Sequence, residues 1–521
     1  MMLNERKLNV AQDLAEAGDY DRAYAICDKE LSSDPNNYRW LTIMVYIMLQ
    51  TEKPTIAYHL ARRVADLEPK KAAGWLNLGM ACKDLRRDRE AVRFAKKAFR
   101  FSDNEKQQAM INVNIGSSLI DMGEFVEAEG YCLEAIRLNP DTIKGKANLG
   151  FCQLAQRQWK EGWENYRHCS GHEWRPKFVY NDEPEWDGKG EGNIVLYGEQ
   201  GLGDQISFAS VVPDVHRWAK KNNSRVILDL SNRLTNLLRR SFPDIKVYGT
   251  QGNVNAMWDK EDRKIDHSLP IGQACEYFRH SDDDFPGTPY LKPCPDRKEM
   301  WAALFKKQSC AHNNPECKNN KPIKKPVIGI AWSGGIPQTG SKWRRVGLNA
   351  LLPILKSVDA HWVSLQYKDA SKEIAEFKKE HPEIDLVQYH HGTLTMDYDD
   401  TVAMVSAMDH VIAMHTTIVH VAGGLGVPCW AFVPLFSQWR YGSDGEDYVW
   451  ANSLRILRQT ERGKWDDLFE KTAKELNALF PGISKTTGKT AQSGRVLRSK
   501  SGRVRRNSKH VSRSNGDRPP A

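Results

Sequence analysis

Between Val327 and Trp439, three apolar runs (VIGIAW, HWVSLQ and HVIAMH) each give way to a small, hydroxylated or basic turn. Such a turn at the start of a helix offers backbone N–H groups and the positive end of the helix dipole, a setting that suits phosphate. Ser333, Gly334 and Gly335 are small enough for phosphate oxygens to approach the backbone. Lys342 and Arg344 of SKWRR add fixed positive charge, and Thr416 and Thr417 open the run TIVHVAGG with hydroxyls. Ordinary helix capping and a solvated basic loop would account for the same residues without a ligand. Three such turns in one segment predict a pocket for a diphosphate-bearing molecule. Gln366 closes HWVSLQ, where it could read a base or ribose, and Arg440 follows CWAFVP, where it reaches phosphate or forms an ion pair. Asp204, in GEQGLGDQ, sits in a glycine-rich turn, where a carboxylate serves as a base or caps the next helix. No HExxH, GxSxG or Walker A pattern points to a protease, hydrolase or NTPase.

These side chains need strands and helices to position them. From NIVLYGEQGLGDQISFASVV onward, apolar runs alternate with amphipathic ones, as in a doubly wound sheet. The alternation breaks at a Lys/Asn-rich stretch and resumes at Pro326. The reading is therefore an N-terminal half over 192–308, a polar linker over 309–325 and a C-terminal half over 326–482. Two such halves enclose a cleft, with ligands at the carboxyl ends of the strands.

The first 170 residues carry a different period. Ala23, Ala57 and Ala91 lie 34 apart, Ala128 follows after 37 and Gly162 after another 34. Leu78-Gly79, Ile115-Gly116 and Leu149-Gly150 keep the same steps, and one three-residue insertion near Asn104–Lys106 explains the offset. Small residues at close helix approaches, with breakers such as Pro35, Pro69 and Pro140 between units, resemble tetratricopeptide repeats. Four repeats and a degenerate fifth pair (Thr142–His168) predict a solenoid over 1–170, with a groove for a protein or peptide partner and a linker over 171–191. Trp159, Trp163 and Tyr166 read as core of the closing pair.

The net charge of +9 is local to one end. From Ser484 the chain has eleven Lys/Arg and one acidic residue, so +9 − 10 leaves −1 for the rest. The tail, 483–521, lacks the apolar residues needed to order itself and reads as a solubilising tether or, less favoured, a nucleic-acid arm. Ten cysteines without a CxxC pair, and no secretory apolar core, suggest a cytoplasmic protein with reduced thiols. Cys310, His312 and Cys317 lack an evident fourth ligand, so no metal site is expected.

The stretches LYGEQGLGDQISFA, GIAWSGG, SKWRR, VSLQ, DDTVAMVSAMDHVIAMHTTIVHVAGGLGVPCW, QWR and RILRQTERGKWDDL resemble heptosyltransferase-like (glycosyltransferase family 9) proteins. The whole chain is similar to proteins joining tetratricopeptide repeats to such a domain. The resemblance implies α plus α/β architecture with a GT-B pair of Rossmann-like domains. It also implies hexosyl or heptosyl transfer from a nucleotide-diphosphate sugar to a glycan or protein hydroxyl, inverting, with neither cofactor nor metal. On it, Lys342 matches the phosphate-binding lysine, Asp204 the proposed general base, and His420 a residue beside the phosphate turn. His415 departs from the pattern, since the family usually has Asp there. An imidazole donates as well as accepts, which puts the donor sugar in question and makes His415 a second acid/base candidate. Alternatives are a non-catalytic repeat adaptor with an idle transferase domain, or a protein O-glycosyltransferase.

Overall fold

The computed structural model describes residues 2–171, 175–252, 258–309, 325–335, 344–395, 397–435 and 437–481. Lys342, the Cys310–Cys317 group and the basic tail lie outside them. The described part belongs to one compact unit.

Five antiparallel helix pairs make the solenoid: α1 (Met2–Glu16) with α2 (Tyr20–Ser33), α3 (Tyr38–Gln50) with α4 (Pro54–Leu67), α5 (Ala72–Asp84) with α6 (Asp88–Arg100), α7 (Glu105–Asp121) with α8 (Phe125–Leu138), and α9 (Ile143–Ala155) with α10 (Trp159–Tyr166). The landmark alanines Ala23, Ala57, Ala91 and Ala128 are all buried. The landmark glycines are spacers, because a Cβ on Gly150 would stand 2.6 Å from the Tyr166 amide nitrogen and one on Gly116 2.9 Å from Cys132 Sγ. Helix starts are fixed by Asp19, Asn37, Asn104 and Thr142, whose side chains accept from backbone N–H groups one turn in. The three-residue insertion lengthens a helix instead of a loop: α7 has 17 residues where α5 and α9 have 13.

The N-terminal half has a parallel sheet of β1 (Asn193–Tyr197), β2 (Arg225–Asp229), β3 (Lys246–Tyr248) and β4 (His267–Pro270), in the order β3-β2-β1-β4. The C-terminal half has β5 (Val327–Ala331), β6 (His361–Ser364), β7 (Leu386–Val387), β8 (His410–Met414), β9 (Cys429–Val433) and β10 (Leu454–Arg458). These six strands run parallel in the order β10-β9-β8-β5-β6-β7. Both halves lay two strands outward from the first and then return to its other side, the doubly wound pattern. The sheet of the C-terminal half is nearly all buried, in keeping with its unbroken apolar runs.

Helix Pro295–Ser309, grouped by sequence with the N-terminal half, packs instead on the C-terminal one. Trp301 stacks on His391 at 4.8 Å, Phe305 lies 6.1 Å from His361, and Arg297 pairs with Asp397 and Asp400. Residues 175–191, ahead of β1, form no helix or strand, yet Arg175 and Trp186 are fully buried. Glu185 bridges to Ser268 of β4.

The end of the solenoid is embedded in both halves. Trp163 donates its indole N–H to the Arg279 carbonyl and meets Trp439 and Trp450 edge-on, at 5.4 and 6.4 Å. Arg157 pairs with Asp282 on one side and Asp447 on the other.

The spacer role of Gly150 can be tested against a glycine in open space. Gly150→Val forces the α9–α10 backbones apart and should cost about 1–3 kcal/mol. Gly130→Ala, on the exposed face of α8 with no atom near its Cβ, should gain about 0.5–1 kcal/mol. Calorimetric unfolding of the two variants checks both signs; a neutral Gly150→Val would refute the spacer assignment.

Candidate functional site

The chain reverses its strand order between β5 and β8, which lie side by side. Their carboxyl ends carry Trp332–Gly335 and His415–Thr417, the position at which doubly wound sheets bind ligands. The two turns touch: a Cβ on Gly334 would collide with the Thr416 methyl. Ser333 is held by Gln366, whose Nε2 donates to Ser333 Oγ at 2.6 Å and whose Oε1 accepts from the Ser333 amide at 3.4 Å. Gln366 is thereby committed to shaping the turn rather than turned to a nucleoside. Gly335 has a left-handed φ of 80°, and the exposed Tyr367 donates its hydroxyl to the Gly335 carbonyl at 3.0 Å.

His415 is 2% exposed, and neither ring nitrogen has a hydrogen-bond partner among the described residues. The Thr416 hydroxyl is likewise buried and unpartnered, and Thr416 caps the helix Thr417–Leu425 without a side-chain bond. Buried polar groups are normally satisfied, so unsatisfied ones gathered at a strand-order reversal mark a place for a polar ligand. Burial holds His415 well below the usual imidazole range, and the neighbouring Arg344 charge adds to the effect. Arg344 is itself lowered by burial. A neutral His415 offers one donor and one acceptor, and its low basicity weakens its case as a proton carrier.

His420 lies in the helix that Thr416 caps, and its ring is engaged. Its two nitrogens lie 3.3 Å from the hydroxyls of Tyr441 and Tyr448, and burial lowers it to about 4. Those tyrosines, in RYGSDGEDY, were not anticipated; only their position soon after Arg440 could have suggested them.

The N-terminal half meets this site directly. Helix α11 (Leu202–Phe208) abuts Thr417–Leu425, and a Cβ on Gly203 would lie 3.0 Å from His420 Cδ2 and 3.3 Å from Thr417 Cα. Gly203 serves close approach, since neither it nor Gly201 has a left-handed φ. Asp204 does not cap α11, where Gly201 holds the cap position. Its carboxylate forms an ion pair across the cleft with Arg440, which also donates to Gln438 Oε1 at 3.2 Å. The Arg440 guanidinium lies 5.2 Å from the Phe208 ring centre and 5.0 Å from that of Trp439.

Beneath the glycine-rich turn, Arg175 and Glu199 form a fully buried ion pair at 3.1 Å. Arg175 also donates to the Tyr166 carbonyl and lies over the Tyr166 ring, while Gln200 donates to the Tyr166 hydroxyl. Burial pushes the Glu199 carboxyl up, against the pull of Arg175. A charged residue at the end of an apolar strand was the only sequence signal for this pair. Among the described residues no group of acidic, His or Cys side chains could hold a metal, and no helix is long and apolar enough to cross a membrane.

A tetratricopeptide repeat model matches residues 111–142, the α7–α8 pair, so the solenoid is of that type. Protein FlbA of Caulobacter vibrioides is 25% identical over 479 residues, covering 80% of this chain and 74% of its own. A match of that extent reaches past the solenoid into both α/β halves. Among solved structures, a thermophilic TPR protein of Thermus thermophilus is 21% identical, with a TM-score of 0.28 over 31% of this chain and 88% of its own. Pseudomonas aeruginosa pilF is 15% identical, with a TM-score of 0.33 over 46% and 91%.

Buried neutral histidines make stability acid-sensitive in a fixed direction. An unfolded histidine binds its proton near pH 6.5, whereas His410 and His420 in the fold wait until about 4, and His415 is also well lowered. Their contribution is complete above pH 6.5 and is lost as pH falls toward the folded values, by about 1.4 kcal/mol per pH unit and histidine. The unfolding midpoint should be level near pH 7–8 and fall below 6.5. His415→Gln should make the acid limb shallower by about one proton in the linkage slope; an unchanged limb would mean that His415 titrates normally.

Proposed function

We propose that this chain is a GT-B glycosyltransferase that moves a sugar from a nucleotide-diphosphate donor to an acceptor hydroxyl. The solenoid presents the acceptor or a partner. The observation that carries the reading is His415 and the Thr416 hydroxyl, buried and without hydrogen-bond partners among the described residues at the strand-order reversal, with the Arg344 charge beside His415. A diphosphate has the charge to meet Arg344 and the Thr416 turn, and a sugar hydroxyl has the donor and acceptor that a neutral imidazole matches.

In the proposed reaction the acceptor oxygen attacks the sugar's anomeric carbon as the bond to the diphosphate breaks. The leaving group takes up negative charge beside Arg344, Arg440 and the Thr417 helix start, and the acceptor proton passes to Asp204. Asp204 is tied to Arg440. A diphosphate oxygen that competes for Arg440 would loosen this tie and leave the carboxylate free to accept the proton. The resemblance implies that no divalent ion takes part. A second reading, an adaptor with an idle transferase domain, is favoured by the same ion pair, because a carboxylate already neutralised by arginine is a weak base.

Thermal shift with UDP, ADP and GDP, with and without EDTA, separates the two. A transferase should be stabilised by one diphosphate, the shift should survive EDTA, and Arg344→Ala should weaken that ligand by roughly tenfold, the worth of one charge-assisted contact. Donor breakdown with the matching sugar should then fall by about 10²–10⁴ in Asp204→Asn. No shift with any diphosphate would overturn the enzymatic reading in favour of the adaptor.

A further inference from the structure

We infer that the N-terminal half, where Trp450 of the C-terminal half meets it, carries a second small-molecule site, apart from the cleft, for a ligand with an apolar body and an oxyanion end. The site is a cavity of about 600 Å³, within the range that accommodates drug-sized ligands. It runs from Ser210 along helix Val212–Lys221 to the chain just before β3, and the segment 285–292 that crosses to the C-terminal half closes its other side. None of its lining residues is shared with the His415 site.

Its walls are apolar, formed by Pro213, Phe242, Phe285, Pro286, Tyr290 and Trp450. Its unused polar capacity includes donors, beside His216 Nε2, which donates or accepts according to tautomer. Trp450 is 4% exposed and its indole N–H, which can only donate, has no partner; the Ser210 hydroxyl is also buried and unpartnered. Lys292, at the rim, is exposed, and its ammonium forms no ion pair among the described residues. The carboxylates in the lining are already engaged. Asp214 pairs with Arg217 and Arg279, and Asp244 pairs with Lys220. An occupant must therefore bring acceptors to the donors and apolar surface to the walls, which describes an aromatic or otherwise apolar acid.

Anilinonaphthalene sulfonate, a fused aromatic body with one sulfonate, is a suitable probe for titration against the full chain by fluorescence. Saturable binding at one site is expected. Lys292→Glu, at an exposed position that leaves the core intact, should weaken it by roughly tenfold, the scale of one charge-assisted contact. Trp450→Phe, which keeps the ring and removes the N–H, should weaken it by roughly fivefold. Unchanged affinity in Lys292→Glu at an unaltered melting temperature overturns the site, as does a titration that fails to saturate; this holds even where Trp450→Phe does not fold.

Discussion

Trp163 is the point on which the three parts of the molecule converge. Its ring is fully buried, contributed by the last solenoid helix, hydrogen-bonded into the N-terminal half at Arg279 and faced by Trp439 and Trp450 of the C-terminal half. Aromatic pairs of this kind contribute about 0.5–1.5 kcal/mol each beyond the area they bury. Phe285 extends the seam, 4.6 Å from Trp159 and 4.9 Å from Trp450. Two halves joined only by a linker could swing freely about their cleft. Here a shared third element grips both, so any opening has to occur at the edge beyond the seam, where Gly203 meets the Thr417 helix and Asp204 meets Arg440.

That edge is where the charge is gathered. Arg344 and Arg440 bring two guanidiniums to a site where Asp204 pairs with Arg440, so an anionic ligand beside Arg344 improves the balance. The imidazoles add no positive charge near neutral pH, because burial and Arg344 together keep His415 and His420 neutral. A neutral imidazole at this position recognises a ligand differently from a carboxylate. A carboxylate only accepts, whereas the imidazole donates from one nitrogen and accepts at the other. His415 is better suited to reading a hydroxyl than to moving a proton, and His420 to bracing the helix between two tyrosines.

Much of this was legible in the sequence where steric demands repeat. The 34-residue spacing of Ala23, Ala57 and Ala91 reports helices that touch, and the runs VIGIAW and HVIAMH report strands covered on both faces. The turns at Ser333 and Thr416 were found by the same logic, as small residues following buried strands. What escaped was set by distant contacts. Asp204 and Arg440 are 236 residues apart, and nothing local distinguishes an aspartate that will pair from one that will cap. Gly203 resembles a turn glycine and is one required by a neighbouring helix. Helix Pro295–Ser309 follows the N-terminal half in sequence but finds its aromatic partners, His361 and Tyr389, in the C-terminal one.

The Arg175–Glu199 pair extends the dependence on the solenoid to the glycine-rich turn itself. Both side chains are fully buried, and removing one partner of such a pair costs about 3–5 kcal/mol because the other is left as an uncompensated charge. The pair is completed by the solenoid, since Arg175 also needs the carbonyl and the ring of Tyr166. Glu199 and Gln200, anchored in this way, lead directly into Gly201 and the turn that aims Asp204 across the cleft. A repeat array attached only for recognition could be removed without disturbing a site built elsewhere. This one supplies part of the foundation of the turn, so the solenoid and the cleft stand or fall as one structure.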